Sequence, residues 1–130
     1  MSHLGAITLL VRDYDEAIAW FTGRLGFDLV EDTKLGPGKR WVVVAPPGGE
    51  TRLLLAQPGN VEQSRAIGQQ GGGRVWLFLH TDDFARDHAA FTARGVTFLE
   101  EPRYEAYGTV AVFQDISGNR WDLIEMKGKP

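Results

Sequence analysis

Residues 13–26 read Asp-Tyr-Asp-Glu-Ala-Ile-Ala-Trp-Phe-Thr-Gly-Arg-Leu-Gly, and residues 83–95 read Asp-Phe-Ala-Arg-Asp-His-Ala-Ala-Phe-Thr-Ala-Arg-Gly. A shift of 70 lays Asp13 on Asp83 and Phe21-Thr22-Gly23-Arg24 on Phe91-Thr92-Ala93-Arg94, and one deletion then brings Gly26 onto Gly95. Further on, a shift of 68 lays Trp41-Val42-Val43-Val44 on Thr109-Val110-Ala111-Val112, and Arg52 on Arg120. Three matches in the same order mark an internal repeat.

Each half carries the same series of elements. An apolar, partly β-branched run at 4–11, and again at 74–81, reads as a strand. A helix follows, with Asp13 or Asp83 as N-cap and Gly26 or Gly95 just past its C-terminus. Ile18, Phe21 and Leu25 recur three or four apart and form its apolar stripe. Three strands are expected next, at about 27–32, 40–46 and 51–57, then at about 96–101, 108–114 and 119–126. Leu35-Gly36-Pro37-Gly38, Pro46-Pro47-Gly48-Gly49 and Ser117-Gly118-Asn119 supply the turns. The chain thus reads as one α+β domain over 1–130: module one at 3–58, a Gly/Gln-rich linker at 59–72 with room for one helical turn, and module two at 73–126. Neither βαβββ module covers both faces of its sheet. Joining the uncovered faces gives a curved, eight-stranded, cup-like sheet with helices outside and a cavity within.

Composition narrows the function. The 130 residues carry 14 basic and 17 acidic side chains, a net charge of −3, with 43% hydrophobic residues. That is an ordinary globular composition. It has no basic block for nucleic acid and no apolar run long enough to span a membrane. The chain contains no cysteine, which excludes disulfides, iron–sulfur clusters, thiolate zinc sites and cysteine nucleophiles. This fits a reducing, cytoplasmic setting, and Met1-Ser2-His3-Leu4-Gly5 lacks the pattern of a secretory signal.

Val11-Arg12-Asp13-Tyr14-Asp15-Glu16-Ala17, Leu25-Gly26-Phe27, Ala93-Arg94-Gly95-Val96 and the closing Asp115-Ile116-Ser117-Gly118-Asn119-Arg120-Trp121-Asp122-Leu123-Ile124-Glu125 carry a resemblance. The pattern resembles the vicinal oxygen chelate superfamily, which holds glyoxalase I, extradiol dioxygenases and bleomycin or fosfomycin resistance proteins. The resemblance spans essentially the whole chain. It speaks for the fold and not for one reaction, since one fold hosts many activities. It implies that metal-using members present His or Glu from the first and last strand of each module, at positions that here read Ala6, Leu54, Trp76 and Asp122. Only one of the four has a ligating oxygen, whereas a catalytic metal takes about three protein ligands. No metal and no cofactor are therefore expected. The resemblance also implies a homodimer, with the cup completed within one chain or across two.

Strand parity sorts the remaining side chains. With Asp122 facing the cup, Arg120 and Ile124 face it too, while Trp121 and Leu123 face the helix layer. By repeat, Arg52, Leu54 and Ala56 face in. Trp76 brings Phe78 and His80 with it. On the third strands, Thr109, Ala111 and Phe113, and by repeat Trp41, Val43 and Ala45, are taken to face in. Tyr104 and Tyr107 lie on a loop at a strand end, where function concentrates, and are placed at the rim. The expected ligand-binding set is thus Trp41, Arg52, Trp76, His80, Tyr104, Tyr107, Phe113, Arg120 and Asp122.

Each has a plainer role open to it. Trp41 and Trp76 can fill the core, Asp122 can pair with Arg52 or Arg120, and His80 can be a structural histidine. Two functions follow. One is a metal-free protein of the glyoxalase/bleomycin-resistance type that binds a small aromatic or cationic molecule. The alternative is an enzyme, such as a glyoxalase-like lyase, isomerase or dioxygenase, for which Asp122 and His80 are the acid–base candidates.

Overall fold

A computed structural model of the chain describes residues 1–128. Its elements run β1 (Ala6–Leu10), α1 (Tyr14–Gly23), β2 (Asp28–Gly36), β3 (Lys39–Ala45), β4 (Arg52–Ala56), α2 (Val61–Ala66), β5 (Val75–His80), α3 (Phe84–Ala93), β6 (Thr97–Phe98), β7 (Arg103–Glu105), β8 (Gly108–Gln114) and β9 (Arg120–Met126). Two compact units divide at Ile67 and Gly68, and each holds one sheet. The first sheet has strand order β1-β4-β3-β2, the second β5-β9-β8-β6, with β7 added on β8. In each unit the first strand runs parallel to the last and the other pairings are antiparallel. The linker contains the six-residue α2, capped by Asn60.

The repeat extends to individual hydrogen bonds. Asp13 accepts from Glu16 N at 2.8 Å, and Asp83 accepts from Arg86 N at 3.0 Å. Gly26 and Gly95 adopt φ of 72° and 88°, the left-handed backbone that ends a helix without a Cβ penalty. Phe27 N then donates to Phe21 O, and Val96 N to Phe91 O. The return spans six residues in unit one and five in unit two, which is the deletion seen in the sequence. A side chain at or just past the end of the unit's last strand holds each helix start: Tyr14 N donates to Gln57 Oε1 at 3.0 Å, and Phe84 N donates to Glu125 Oε1 at 2.7 Å.

A core lies between helix and sheet in each unit. Leu9, Phe21, Val42, Val44 and Leu55 are fully buried in unit one, as are Ala111, Phe113 and Leu123 in unit two, and Val110 is equally buried on the opposite face of its sheet. Phe113 lies 5.8 Å from the Phe91 ring of α3 and 5.5 Å from Trp121. The turn from β8 to β9 is built on buried Asp115. Its Oδ1 accepts from the amides of Ser117, Gly118 and Asn119, and its Oδ2 accepts from Asn119 Nδ2 and from Trp121 Nε1 at 2.9 Å. The Asp-Ile-Ser-Gly-Asn stretch is thus a folding device that also fixes the Trp121 indole.

The structure corrects two strand expectations. Among the described residues nine strands form where eight are expected, because the run 96–101 breaks off after β6 and a further strand, β7, forms at Arg103–Glu105, in the stretch expected to be a loop. At the break Glu100 Oε2, not a main-chain carbonyl, accepts from Val112 N at 2.9 Å, and Pro102 has no amide to give. In unit one, β2 and β3 extend to a two-residue turn at Pro37-Gly38, where Gly38 takes φ of 68°. That is the Pro-Gly pattern of a type II turn.

Candidate functional site

Residues paired across a sheet share a face. In unit two, Asp122 of β9 lies between Val112 of β8 and Phe78 of β5. Arg120 pairs with Gln114, and Ile124 lies between Val110 and His80. These residues occupy the face opposite α3, as parity predicts for β9. Phe78 is 59% exposed there. Arg103 of β7, opposite Val110, joins the same face and is bridged to Glu100 at 2.9 Å and Glu105 at 2.8 Å.

Asp122 is the chemically unusual member. Its Oδ1 is buried and has no hydrogen-bond partner, the one such side-chain atom among the described residues. Burial pushes the carboxyl above its usual range, Arg103 pulls it down, and Glu100 pushes it up. Arg120, on the same strand, forms no ion pair with it. Arg120 instead donates to Gly73 O at 3.2 Å.

The other expected site residues divide. His80 ends β5 on the Asp122 face and is exposed. Tyr107 is 46% exposed in the turn from β7 to β8 and bonds to Arg103. Trp76 is half-buried at a bulge, where the pairing skips from Val75–Arg120 to Leu77–Trp121. It therefore lies outside the ladder, and its Cβ packs close to Gly71. Two placements are corrected. Phe113 stands on the helix-facing side, against Phe91 and Trp121, so it is core and not lining. Tyr104 pairs with Thr109, which pairs with Glu125, so it also stands on the side away from Asp122, 80% exposed. The cause is one residue of offset. Val43 pairs with Leu54, but Val112 pairs with Asp122, so the third strands are related by a shift of 69 and not 68. The face of unit two receives Val110, Val112 and Gln114, while Thr109, Ala111 and Phe113 turn inward.

In unit one the expected facing of β3 and β4 holds. Trp41, 42% exposed, and Val43 lie on the face of Leu54, opposite α1, and Arg52 pairs with Ala6. The neighbour of Leu54 on β1 is Thr8, not Ala6.

A model of the Glyoxalase/Bleomycin resistance protein/Dioxygenase superfamily matches residues 3–123. The chain belongs to that superfamily. An uncharacterized protein of Shewanella frigidimarina is 51% identical over 125 residues, covering 95% of this chain and 93% of the relative. Among solved structures, UcmS2 is 31% identical with a TM-score of 0.82, covering 95% of this chain and 98% of that one. TnmS3, an antibiotic binding protein from Streptomyces sp. CB03234, is 30% identical with a TM-score of 0.76, covering 98% of each chain.

The superfamily's metal positions can be tested on this register. The resemblance placed them at Ala6, Leu54, Trp76 and Asp122. The observed pairing brings Thr8 beside Leu54 and Phe78 beside Asp122, with Ala6 two residues away and Trp76 in the bulge. Either set contains a single carboxylate. Among the described residues no group of three or more His, Asp or Glu is placed to hold a metal ion. The residues present do not fit a three-ligand centre. No helix among the described residues is long and apolar enough to cross a membrane.

Proposed function

We propose that this protein binds a small aromatic or cationic molecule on the Asp122 face of unit two, does so without a metal ion, and acts as a homodimer. The observation that carries the reading is the buried, partnerless Oδ1 of Asp122 beside the exposed Phe78 ring. A desolvated carboxylate is best satisfied by a ligand cation, which returns about 1.5–3 kcal/mol through a charge-assisted hydrogen bond. The ring adds stacking or cation–π attraction of about 1 kcal/mol. Arg120 and His80 share this face, and Tyr107 and Trp76 are proposed as further positioning groups. The 30% identical TnmS3, described as antibiotic-binding, supports small-molecule capture. The exposed Leu29, Val30 and Leu35 of β2 support a second copy.

Titration of a panel of planar aromatic cations, followed by tryptophan fluorescence, tests the reading. Quenching is expected, largely removed by Trp76→Phe, and Asp122→Asn weakens binding about tenfold or more, one decade being 1.4 kcal/mol. Trp41→Ala and Arg52→Ala in the same titration decide whether unit one contributes. An empty screen, with Trp76→Ala costing about 3–5 kcal/mol of stability as a core cavity does, rejects the pocket. Elemental analysis of gently purified protein should give well below one ion per chain; near one equivalent, lost on Asp122→Ala, restores an enzyme of the superfamily's metal type. Sedimentation showing only a 14.4 kDa species rejects the dimer.

A further inference from the structure

The glycine-rich stretch that follows α2 does not act merely as a joint between modules. It folds onto the turn from β8 to β9 and encloses a cavity of about 120 Å³ with it. Gly68 sits so close to this turn that a Cβ would meet Ser117 O at 2.2 Å, and its φ is 76°. At Gly71 a Cβ would meet the Trp76 Cβ at 2.8 Å. The amide of Gln70 donates to Asn119 Oδ1 at 3.3 Å, and buried Asn119 is itself held by Asp115. The loop is thus held against the turn at Gly68 and Gln70, and against β5 at Gly71. Gly72 and Gly73 take φ of 65° and 90° although a Cβ at either would meet nothing within 4 Å. Their glycines therefore serve the path of the loop and not its packing.

The chemistry of the wall is one-sided. Arg74, Arg120 and Gln114 line it together with Gln69 and Asn119, and no carboxylate does. Four other arginines differ, though among the described residues Arg52 and Arg65 also lack an ion pair. Arg12, Arg40, Arg86 and Arg103 are each bridged to a carboxylate, whereas no ion pair involves Arg74 or Arg120 among the described residues. Arg120 is instead oriented by a loop carbonyl, that of Gly73. Two uncompensated guanidinium groups at a small polar cavity in an acidic protein favour an anion with oxygen acceptors. The cavity is well below the roughly 300 Å³ of a drug-sized pocket, so the occupant is a single group and not a whole large ligand.

We propose that the loop 68–74 and the turn 114–120 form an oxyanion site, taking a phosphate or carboxylate group through Arg74 and Arg120. The site does not require the occupant of the Asp122 face, so its test uses simple anions. Inorganic phosphate and acetate are titrated separately into the full chain at constant ionic strength, which holds screening fixed, and amide shifts are read by nuclear magnetic resonance. Saturable shifts confined to Gly71, Gly72, Gly73, Gln114, Gly118 and Arg120 are expected for at least one of the two. Arg74→Gln and Arg120→Gln should each weaken binding about tenfold, while Arg65→Gln, on exposed α2, leaves it unchanged. A response to phosphate alone assigns a phosphorylated group, and a response to acetate alone assigns a carboxylate. Asp122→Asn retains the response, so a failed search for a cationic ligand leaves this site standing. Shifts that stay linear to about 50 mM, far above a millimolar dissociation constant, or that Arg65→Gln reduces as much as Arg120→Gln does, overturn the proposal. Spectral dispersion away from the loop reports whether each variant is folded, and either arginine variant alone suffices for the comparison.

Discussion

The two units repeat one plan and differ where chemistry is concerned. Where unit one has Leu54 beside Thr8 and Val43, unit two has Asp122 beside Phe78 and Val112. Their third-to-fourth strand turns differ in the same way. Gly49 N donates to Pro46 O, and Gly118 N donates to Asp115 O, so the main-chain turn is shared. Prolines stiffen the first, whereas the second is organised by a buried carboxylate with five donors. The helix starts are held by a neutral Gln57 in one and a charged Glu125 in the other. Unit one is therefore the plainer scaffold, and unit two is the copy in which buried charge has been placed and, in one instance, left unsatisfied.

The turn is where that contrast should be widest. Asp115→Ala removes the side-chain acceptor shared by the Trp121 indole N–H, the Asn119 side chain and three amides, and is expected to destabilise by about 3–5 kcal/mol, as removing one partner of a buried charged network does. Pro46→Ala, in the matching turn, should cost less than about 1 kcal/mol. Urea unfolding monitored by circular dichroism measures both, and equal losses would break the asymmetry.

The helix starts come next. Glu125→Ala should cost about 1.5–3 kcal/mol, the range for a hydrogen bond to a charged group, and Gln57→Ala about 1 kcal/mol. Amide exchange at Phe84 and Tyr14 localises each loss, and an unchanged Phe84 amide in Glu125→Ala would remove the argument for a charged anchor.

The smallest effect is at Asp122. A carboxyl raised in the native state binds its proton more tightly there than in the unfolded chain, so its ionised form destabilises above the native pKa and ceases to do so below the unfolded pKa. Asp122→Asn should thus be more stable than the parent at pH 7, by roughly 1 kcal/mol, the low end for an unpaired buried polar atom. The gap should close as pH falls through and below that raised pKa. Leu54→Asn, its counterpart in unit one, should show no such pH dependence. A parent more stable than Asp122→Asn at pH 7 would mean that the carboxylate is satisfied in solution.

Much of this was legible in the sequence because it is local. An Asp followed by an apolar stripe and closed by Gly specifies a helix with both ends, and the Asp13 and Asp83 caps formed accordingly. The parity of β4 and β9 followed from one alternation in each. Errors arose where one residue decides the answer. The repeat offset drifts from 70 at the helices to 68 at the last strands, and no residue marks where it passes 69, so parity carried over from the last strands assigns Phe113 to the wrong face. The bulge at Trp76 and the Glu100 side chain bonded to Val112 N depend on strand neighbours distant in the chain. The lone Oδ1 of Asp122 is a property of what surrounds it, and spacing alone does not encode it.

The parallel pairing of first with last strand has a consequence for synthesis. A ribosome makes the chain from its N-terminus, and domains fold as units while it does. β1 finds β4 as soon as Ala56 has emerged, so unit one can close its sheet while unit two is still being translated. β5, made soon afterwards, must wait for β9, with the whole of α3, β6, β7 and β8 still to come. During that interval Phe78 and the rest of β5 stand as an unpaired edge, the kind of strand that recruits wrong partners. The most vulnerable moment in the life of this protein thus falls between the making of His80 and of Arg120.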